Sequence, residues 1–534
     1  MDAAKDLHQP AESYFDPEPP LTKLLMAPPI AWWGFNTWTW RASTTLFGSL
    51  FVGVMYLIAR RLRRDRFFAV CAALFVCLDG LAFVESRIGV IDIIAVFFAA
   101  LVYYAFLLHW QARTRTQWRV SLYAMAAIAG LAFGAKLTAL APIVVAGALI
   151  GARALAPYLV AAMPALRRIA GDRRYETVLW REAAGPRALL HYLVAAGVTV
   201  AIFSACFSRY LTVEHPDIYR FTACSQGTSG LTTAPGPPEH LHVPVVHVGS
   251  VALPNPLQAL HNIYEINSAA IQYHELECHS HPYASRWYTW PVMEHPVLFY
   301  YDQPSGTARA SAITDMGNPA VWWPAIPALL FCVWRATRGP NAWRVGVGML
   351  GVVSLVAMIL LFHAATRYHD PNKVDTSYTA STFAALFHRQ PSPSDEIARV
   401  DPGPLFTLAF IGLILFTAAL TLSAAVSRTF VPAFIVLGYI TAWMMWVPGN
   451  ERRVLFFYHA LGMLIFAALA LAYVLAAIRR AAFQPNGGRR ISLAPISYAL
   501  VGSVVAAFIF FYPVWTAVPQ SPADHQMRVW VDSL

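Results

Sequence analysis

Four short strings hold charged groups next to long apolar runs, and a charge kept there needs a reason. LDGLAFVESRIGVIDIIAVFF places Glu85, Arg87 and Asp92 between two apolar segments, with Arg87 and Asp92 five residues apart. GLAFGAKLTAL carries Lys136 in a similar setting, and VPGNERRVLFFYH carries Arg452 and Arg453 just before Phe456, Phe457 and Tyr458. The fourth string, DPEPPLTKLLMAPPIAWW, opens with Glu18 and Lys23 ahead of an amphipathic, Trp-rich stretch. Ionisable groups in or beside a bilayer are expensive, and they mark internal ion pairs or functional sites. Carboxylates there can serve as bases, while cations, Arg above all, suit phosphate oxygens that accept forked hydrogen bonds. Each group also has a plainer reading: a structural ion pair for Glu85, Arg87 and Asp92, a snorkelling side chain for Lys136, headgroup contact for the Arg pair.

The His-rich string His274-Glu275-Leu276-Glu277-Cys278-His279 superficially resembles a zinc-binding helix. Its two His stand at i and i+5, about 140° apart around a helix, whereas ligation from one face needs i and i+4. No metal and no other cofactor is expected. Cys71, Cys77, Cys206 and Cys332 fall in or at the ends of apolar runs. Cys224 and Cys278 share one long polar segment, where a disulfide between them is compatible with an oxidising compartment. Trp- and Tyr-rich clusters recur in IAWWGFNTWTWR, HPYASRWYTWP and GNPAVWW. They suit either an interfacial site for an amphipathic lipid or sugar, or an aromatic belt with no ligand.

Composition names the scaffold that must position these groups. Of 534 residues, 57% are hydrophobic and 13% charged, against about 25% charged in a typical soluble domain. Mean hydropathy is +0.49. A soluble enzyme, a disordered chain and a secreted disulfide scaffold are excluded, leaving a polytopic membrane protein. The net charge of +10 is carried almost wholly by Arg, since Lys occurs only at Lys5, Lys23, Lys136 and Lys373. These cations sit in short loops between apolar runs, which is the positive-inside pattern and not a nucleic-acid face.

Runs of the length a helix needs to cross a bilayer occur at 43–60, 67–84, 90–109, 120–134, 138–153, 188–207, 319–335, 344–362, 405–426, 429–447, 454–478 and 495–516. The division within 120–153 is the least marked. With residues 1–42 outside, the alternate loops at 60–66, 111–119, 153–187, 335–344, 428 and 479–490 face the cytoplasm. Those loops hold more than half of the 39 Lys and Arg, as the rule requires. The expected organisation is an outer segment 1–42, a transmembrane block 43–207, a large outer loop 208–318, a second block 319–516 and an outer tail 517–534. The 208–318 loop shows no hydrophobic period, and 363–404 reads as a flexible outer connection. Residues 1–20 have no basic n-region and no apolar h-region. Placing them outside with no preceding span leads to the expectation that a first helix lies ahead of Met1.

Taken together, the strings resemble the protein O-mannosyltransferase family, in family order from residue 16 to about 478. PPLTK resembles the family's HPPLGK, with Glu18 or a one-residue deletion in place of the His. ESRIGVID resembles its Arg…Asp signature, and GLAFGAKLTAL its Gly-rich segment with a Lys. HPYASRWYTWP followed by GNPAVWW resembles its large-loop signature, and ERRVLFFYH its Arg-plus-aromatic turn. The resemblance implies an all-α polytopic protein of the C-type glycosyltransferase fold, with about twelve transmembrane helices. It also implies inverting transfer of mannose from a polyprenyl-phosphate carrier to Ser or Thr of exported proteins, at the outer face of the plasma membrane. Lys23, Arg87, Lys136 and Arg452 would then hold the carrier phosphate, and His281, Tyr283, Trp287 and Trp290 would shape the sugar or acceptor pocket. Asp92 and Glu18 stand in for the family's catalytic Asp-Glu pair, whose counterpart would precede Met1. The partners implied are the lipid-linked sugar, an exported protein and membrane lipid. Two alternatives remain open: an aminoarabinose-type transferase acting on lipid or cell-wall glycan, and a non-catalytic membrane protein. A transporter would show broken helices or repeated halves, and neither is evident in the sequence.

Overall fold

The computed structural model describes residues 17–162, 164, 183–208, 217–221, 225–227, 230–232, 235–241, 245–249, 251–276, 281, 283–305, 307–337, 341–367, 403–426, 429–447, 455–484 and 490–529. Each of the twelve apolar runs is largely helical. The first block comprises α1 (Leu21–Trp33), α2 (Thr39–Leu62), α3 (Arg66–Cys77), α4 (Gly80–Glu85), α5 (Asp92–Trp110), α6 (Arg115–Ala135), α7 (Leu140–Ala162) and α8 (Pro186–Cys206). The 208–318 segment supplies α9 (Pro256–Leu276). The second block comprises α10 (Pro319–Ala336), α11 (Asn341–Arg367), α12 (Gly403–Val426), α13 (Phe430–Met444), α14 (Leu461–Arg480) and α15 (Ala494–Thr516), with α16 (Pro522–Arg528) in the tail. Nine of these helices are long and apolar enough to cross a membrane among the described residues.

Local chemistry sets several starts. Asp65 caps α3 by accepting from the Phe67 amide, Thr114 caps α6 through Gln117, and Asn318 caps α10 with Pro319 next in line, as helix starts prefer. In packing, α14 is the hub. It touches α3, α5, α10, α13 and α15, while α2, α5, α6 and α8 form a file beside it. One continuous core cluster runs through both blocks.

The structure departs from the sequence reading in two places. The run 67–84 is two helices, α3 and α4, and so this span is broken where an unbroken one was expected. Asp79 restarts the chain: one carboxylate oxygen accepts from the amides of Leu81 and Ala82, the other from the Asn318 amide at 2.8 Å and Trp322 Nε1 at 2.9 Å. Gly80 leaves room for Trp515 and the Met316 carbonyl, both of which crowd where a Cβ would stand. Irregular backbone is tolerated at membrane depth only where protein re-satisfies it, and Asp79 does so.

The second departure is in 208–318. It holds β1 (Asp217–Phe221), β2 (Ser225–Gly227), β3 (Gly230–Thr232), β4 (Pro235–His240), β5 (Val245–Val248), β6 (Val251–Pro254), β7 (Val297–Asp302) and β8 (Ser311–Asp315), besides α9. They pair antiparallel as β1–β4, β2–β3, β5–β6 and β7–β8. Asn255 caps α9 through the amides of Leu257 and Gln258, with Pro256 following. Ile263, Ile266 and Ala269 of α9 pack with Leu21, Leu131, Cys206 and Phe207. The pair 363–404 and 163–182 lies largely outside the described residues.

Candidate active site

The site is built where three chain breaks meet. At the first, α6 ends on Lys136, whose φ of −164° and ψ of 143° take the backbone out of the helix before a short 3-10 turn, Leu137–Ala139, leads into α7. At the second, the turn 86–91 delivers Asp92 to the first turn of α5. Gly89 there has φ +68° and lies against Trp40, so a side chain would be strained as well as blocked. The third is the bent entry to α1, which carries Glu18.

These breaks bring together groups far apart in sequence. Lys136 Nζ donates to Asp92 Oδ1 at 2.7 Å and stands 3.6 Å from Glu18 Oε1. His274 Nε2, on the last turn of α9, is 3.7 Å from the same Glu18 oxygen. Lys136 is buried, with only 7% of its side chain exposed. It does not snorkel.

Asp92 and Lys136 stand on the wall of a cavity with about 520 Å³ of empty space, part of it open to solvent. The rest of the lining is mainly apolar and aromatic: Val96 and Tyr103 of α5, Pro142 of α7, Trp446 beyond α13, Tyr458 and Leu461 at the start of α14. His459 joins them, its ring 4.3 Å from that of Trp446 and its Nδ1 3.1 Å from the Phe456 amide nitrogen.

The large-loop string packs behind the residues that line the cavity. Ser285 N donates to the Leu455 carbonyl at 2.7 Å, Trp290 Nε1 to Ser285 Oγ at 2.8 Å, and Trp443 Nε1 to the Trp287 carbonyl at 2.7 Å. Trp287 and Trp290 are fully buried. They do not line the cavity. Trp290 instead packs behind Trp446 and His459, which do. His281 is exposed and edges onto Phe456, with the half-buried Tyr283 beside it.

Of the residues singled out in the sequence, Glu18, Asp92 and Lys136 converge. Arg87 does not join them: it is exposed, lies over the Phe83 ring and makes no ion pair among the described residues. Lys23 lies half-buried on α1. Arg452, Cys224 and Cys278 lie outside the described residues. Of the string 274–279, His274 alone has a described side chain. Residues the sequence reading missed are His274 as an ionic neighbour, Tyr103, Thr138 and Trp446.

A second charged feature lies behind α4. Glu85 and Asp315 are both fully buried, and none of their four carboxylate oxygens has a hydrogen-bond partner among the described residues. Burial pushes the Asp315 carboxyl well above the usual carboxylate range, reinforced by the nearby carboxylates of Asp79 and Asp92.

A solved structure of the S. cerevisiae protein O-mannosyltransferase Pmt1-Pmt2 complex bound to the sugar donor superposes with a TM-score of 0.56 at 12% identity, over 98% of this chain and 86% of that one. The fold is that of the membrane-embedded C-type glycosyltransferases. Two family models match the chain: dolichyl-phosphate-mannose-protein mannosyltransferase over residues 14–166, and the C-terminal four-TMM region of protein-O-mannosyltransferase over residues 259–387. Between them they take in just over half of it, and the chain belongs to the protein O-mannosyltransferase family. It is 22% identical to the polyprenol-phosphate-mannose–protein mannosyltransferase of Mycolicibacterium smegmatis, over 96% of this chain and 81% of the relative. To the protein of the same description from Mycobacterium tuberculosis it is also 22% identical, over 96% of this chain and 80% of the relative.

Proposed function

We propose that this protein transfers mannose from a polyprenyl-phosphate carrier to Ser or Thr hydroxyls of protein acceptors, with inversion, at the extracytoplasmic face of the plasma membrane. The observation that carries the reading is the cavity with the Asp92–Lys136 pair on its wall and an otherwise largely apolar and aromatic lining, in a chain of this family.

The chemistry follows from the groups present. The acceptor oxygen forms a bond to the anomeric carbon as the bond from that carbon to the carrier phosphate breaks. Inversion places the base on the face opposite the leaving group. A carboxylate takes the hydroxyl proton, and Asp92 and Glu18 are the carboxylates that stand at this end of the cavity. The carrier phosphate leaves as a stable monoester anion, so cations serve it better than an acid. Lys136 is the cation that the cavity presents, and Lys23, Arg87 and Arg452 are the further candidates. His281 and Tyr283 stand at the side from which an acceptor would approach, and Trp287 and Trp290 support the wall behind the sugar.

Purified protein in liposomes containing radiolabelled polyprenyl-phosphate mannose, supplied with a Ser/Thr-rich peptide, tests the reading. Label in the peptide is expected, sensitive to α-mannosidase. Label in lipid or glycan instead would reassign the acceptor, and no released label at all would overturn the transferase reading.

A further inference from the structure

One aromatic cluster of the sequence has no part in the proposed function. IAWWGFNTWTWR joins α1 to α2, and its Trp32, Trp33, Phe35 and Trp38 are each more than half exposed. A contiguous exposed apolar patch of this kind marks a surface that something covers. The turn is built to present it. Gly34 takes φ +75°, and its carbonyl accepts from Thr39 Oγ1 at 2.7 Å. Asn36 Oδ1 accepts from the amides of Trp38 and Thr39, each at 3.1 Å, and Asn36 Nδ2 donates to the Trp33 carbonyl at 3.2 Å. The Trp33 ring lies 5.5 Å from that of Trp38 and 5.7 Å from that of Trp32. The exposed rings are therefore held in one patch before any partner arrives.

The chain around the patch points to its occupant. α2 is long and apolar enough to cross a membrane, and it exposes Leu46, Leu50 and Leu57 along its length. Arg60 and Arg61 occupy its last turn, the end that the positive-inside rule assigns to the cytoplasm. The patch thus continues a lipid-facing helix at its opposite, outer end. Trp is enriched at that level of a bilayer because its ring is apolar and its N–H polar. Charge agrees with a lipid surface. Arg41 is exposed and lies over the Trp40 ring, and no Asp or Glu occurs between Glu18 and Asp65. A guanidinium in that place suits lipid phosphate.

We infer that the turn Trp32–Trp38 is an interfacial anchor, seated among the headgroups and upper acyl chains of the outer leaflet, and that it fixes the depth of the active site in the bilayer. Three contacts transmit that depth. Trp40 fills the place where a Cβ on Gly89 would stand, and Thr45 Oγ1 donates to the Ser86 carbonyl at 3.0 Å. Both hold the turn that delivers Asp92. Ser43 Oγ donates to the Leu25 carbonyl at 2.7 Å, which ties in α1, whose entry carries Glu18. The depth-setting role rests on the proposed function, because depth matters to a donor whose own anchor is a lipid.

The chain has 17 Trp, and a test of sign isolates three of them. The full chain is placed in phosphatidylcholine vesicles brominated on the acyl chains near the headgroup, and quenching of Trp emission is measured. Trp32→Phe, Trp33→Phe and Trp38→Phe together remove three fluorophores and keep the aromatic surface. With these rings in the leaflet, their loss lowers the quenched fraction of the emission, and bromines near the bilayer centre give a smaller drop. Rings standing in water, against a second copy or against an acceptor polypeptide would leave the quenched fraction unchanged or raised, and that result overturns the inference. For the depth, Trp32→Gln with Trp33→Gln should raise the donor KM several-fold in vesicles with kcat retained. In detergent, where no bilayer sets the depth, the same variant should match the wild type. An equal KM in vesicles, or an equal defect in both media, overturns the depth-setting role. A wild type that transfers nothing but shows the expected drop in quenching would sink the functional reading and leave the anchor standing.

Discussion

The Asp92–Lys136 pair makes the sharpest quantitative demand on the structure. Lys136 is 6% exposed as a residue, its ammonium 2.7 Å from Asp92 and 3.6 Å from Glu18. Removing one partner of a buried pair costs about 3–5 kcal/mol, because the other charge is left without compensation. Asp92→Asn keeps an acceptor oxygen, and Glu18 remains near the ammonium, so its cost should fall lower, at about 2–3 kcal/mol. Lys136→Met removes the ammonium from Asp92 at 2.7 Å and from Glu18 at 3.6 Å and should cost the full 3–5 kcal/mol or so. The double variant removes the cation together with one of those carboxylates. It should recover about 2 kcal/mol relative to the sum of the singles. Thermal midpoints of the four proteins in one detergent, read by intrinsic Trp fluorescence, check this. If Asp92→Asn lies within the ±0.5 kcal/mol or so typical of exposed positions and the cycle is additive, the buried pair does not exist as described.

Three further outcomes follow from buried or paired acids elsewhere. Asp79→Ala strips acceptors from the Leu81, Ala82 and Asn318 amides and from Trp322 Nε1. With the donors left dry, a loss of about 3–5 kcal/mol is expected, read as lost folded yield in detergent, with Asp79→Asn retaining part of it. Asp315 has its carboxyl raised by burial, so the stability it contributes is full below the unfolded value near pH 4 and is lost as pH rises through the folded value. Asp315→Asn should therefore flatten the decline of the thermal midpoint from acidic to alkaline pH and raise it at pH 8; an unchanged slope would refute the assignment. Asp65 has the opposite sign. Burial works against its charge, but the hydrogen bond and charge of Arg480 outweigh burial and lower it. Its contribution is present above about pH 4 and lost as pH falls, so Asp65→Asn should destabilise at pH 7 and matter less at pH 3, measured by the same midpoints.

Much of the fold is legible in the sequence because a bilayer imposes length and polarity together. Each of the twelve apolar runs is largely helical, with 67–84 broken at Asp79, and the division at Lys136 falls where a lone cation interrupts two of them. What stays hidden has specific causes. The break at Asp79 depends on donors from Asn318 and Trp322, more than two hundred residues away, so nothing in LDGLAF reveals it. The helix α9 was missed although Asn255-Pro256 is a start signal, since the Pro and His on either side mask its period. Trp287 and Trp290 read as binding aromatics because type alone does not separate a ring that touches a ligand from one that supports the ring that does. Arg87 and Asp92, close in sequence, part company in space: Asp92 turns to Lys136 and Arg87 to solvent.

The placement of the cavity shows why the sequence locates its ends better than its walls. In a soluble protein, a helix facing the core is apolar on one side and polar on the other. Here lipid is as apolar as the interior, so a helix at the centre and one at the edge look alike in composition. Yet α5 and α14 have 72% and 78% of their spanning windows buried, against 11% for α8 and 17% for α15. The cavity is walled by the two most enclosed of the nine spans, with α7 and the residues after α13 closing it. A lipid-linked substrate needs that geometry, a rigid interior for the reacting head and lipid-exposed helices outside it. The charged residues announce the head's end because the membrane does not tolerate them elsewhere. The apolar wall carries no such mark, and it follows only from which helices are packed on all sides.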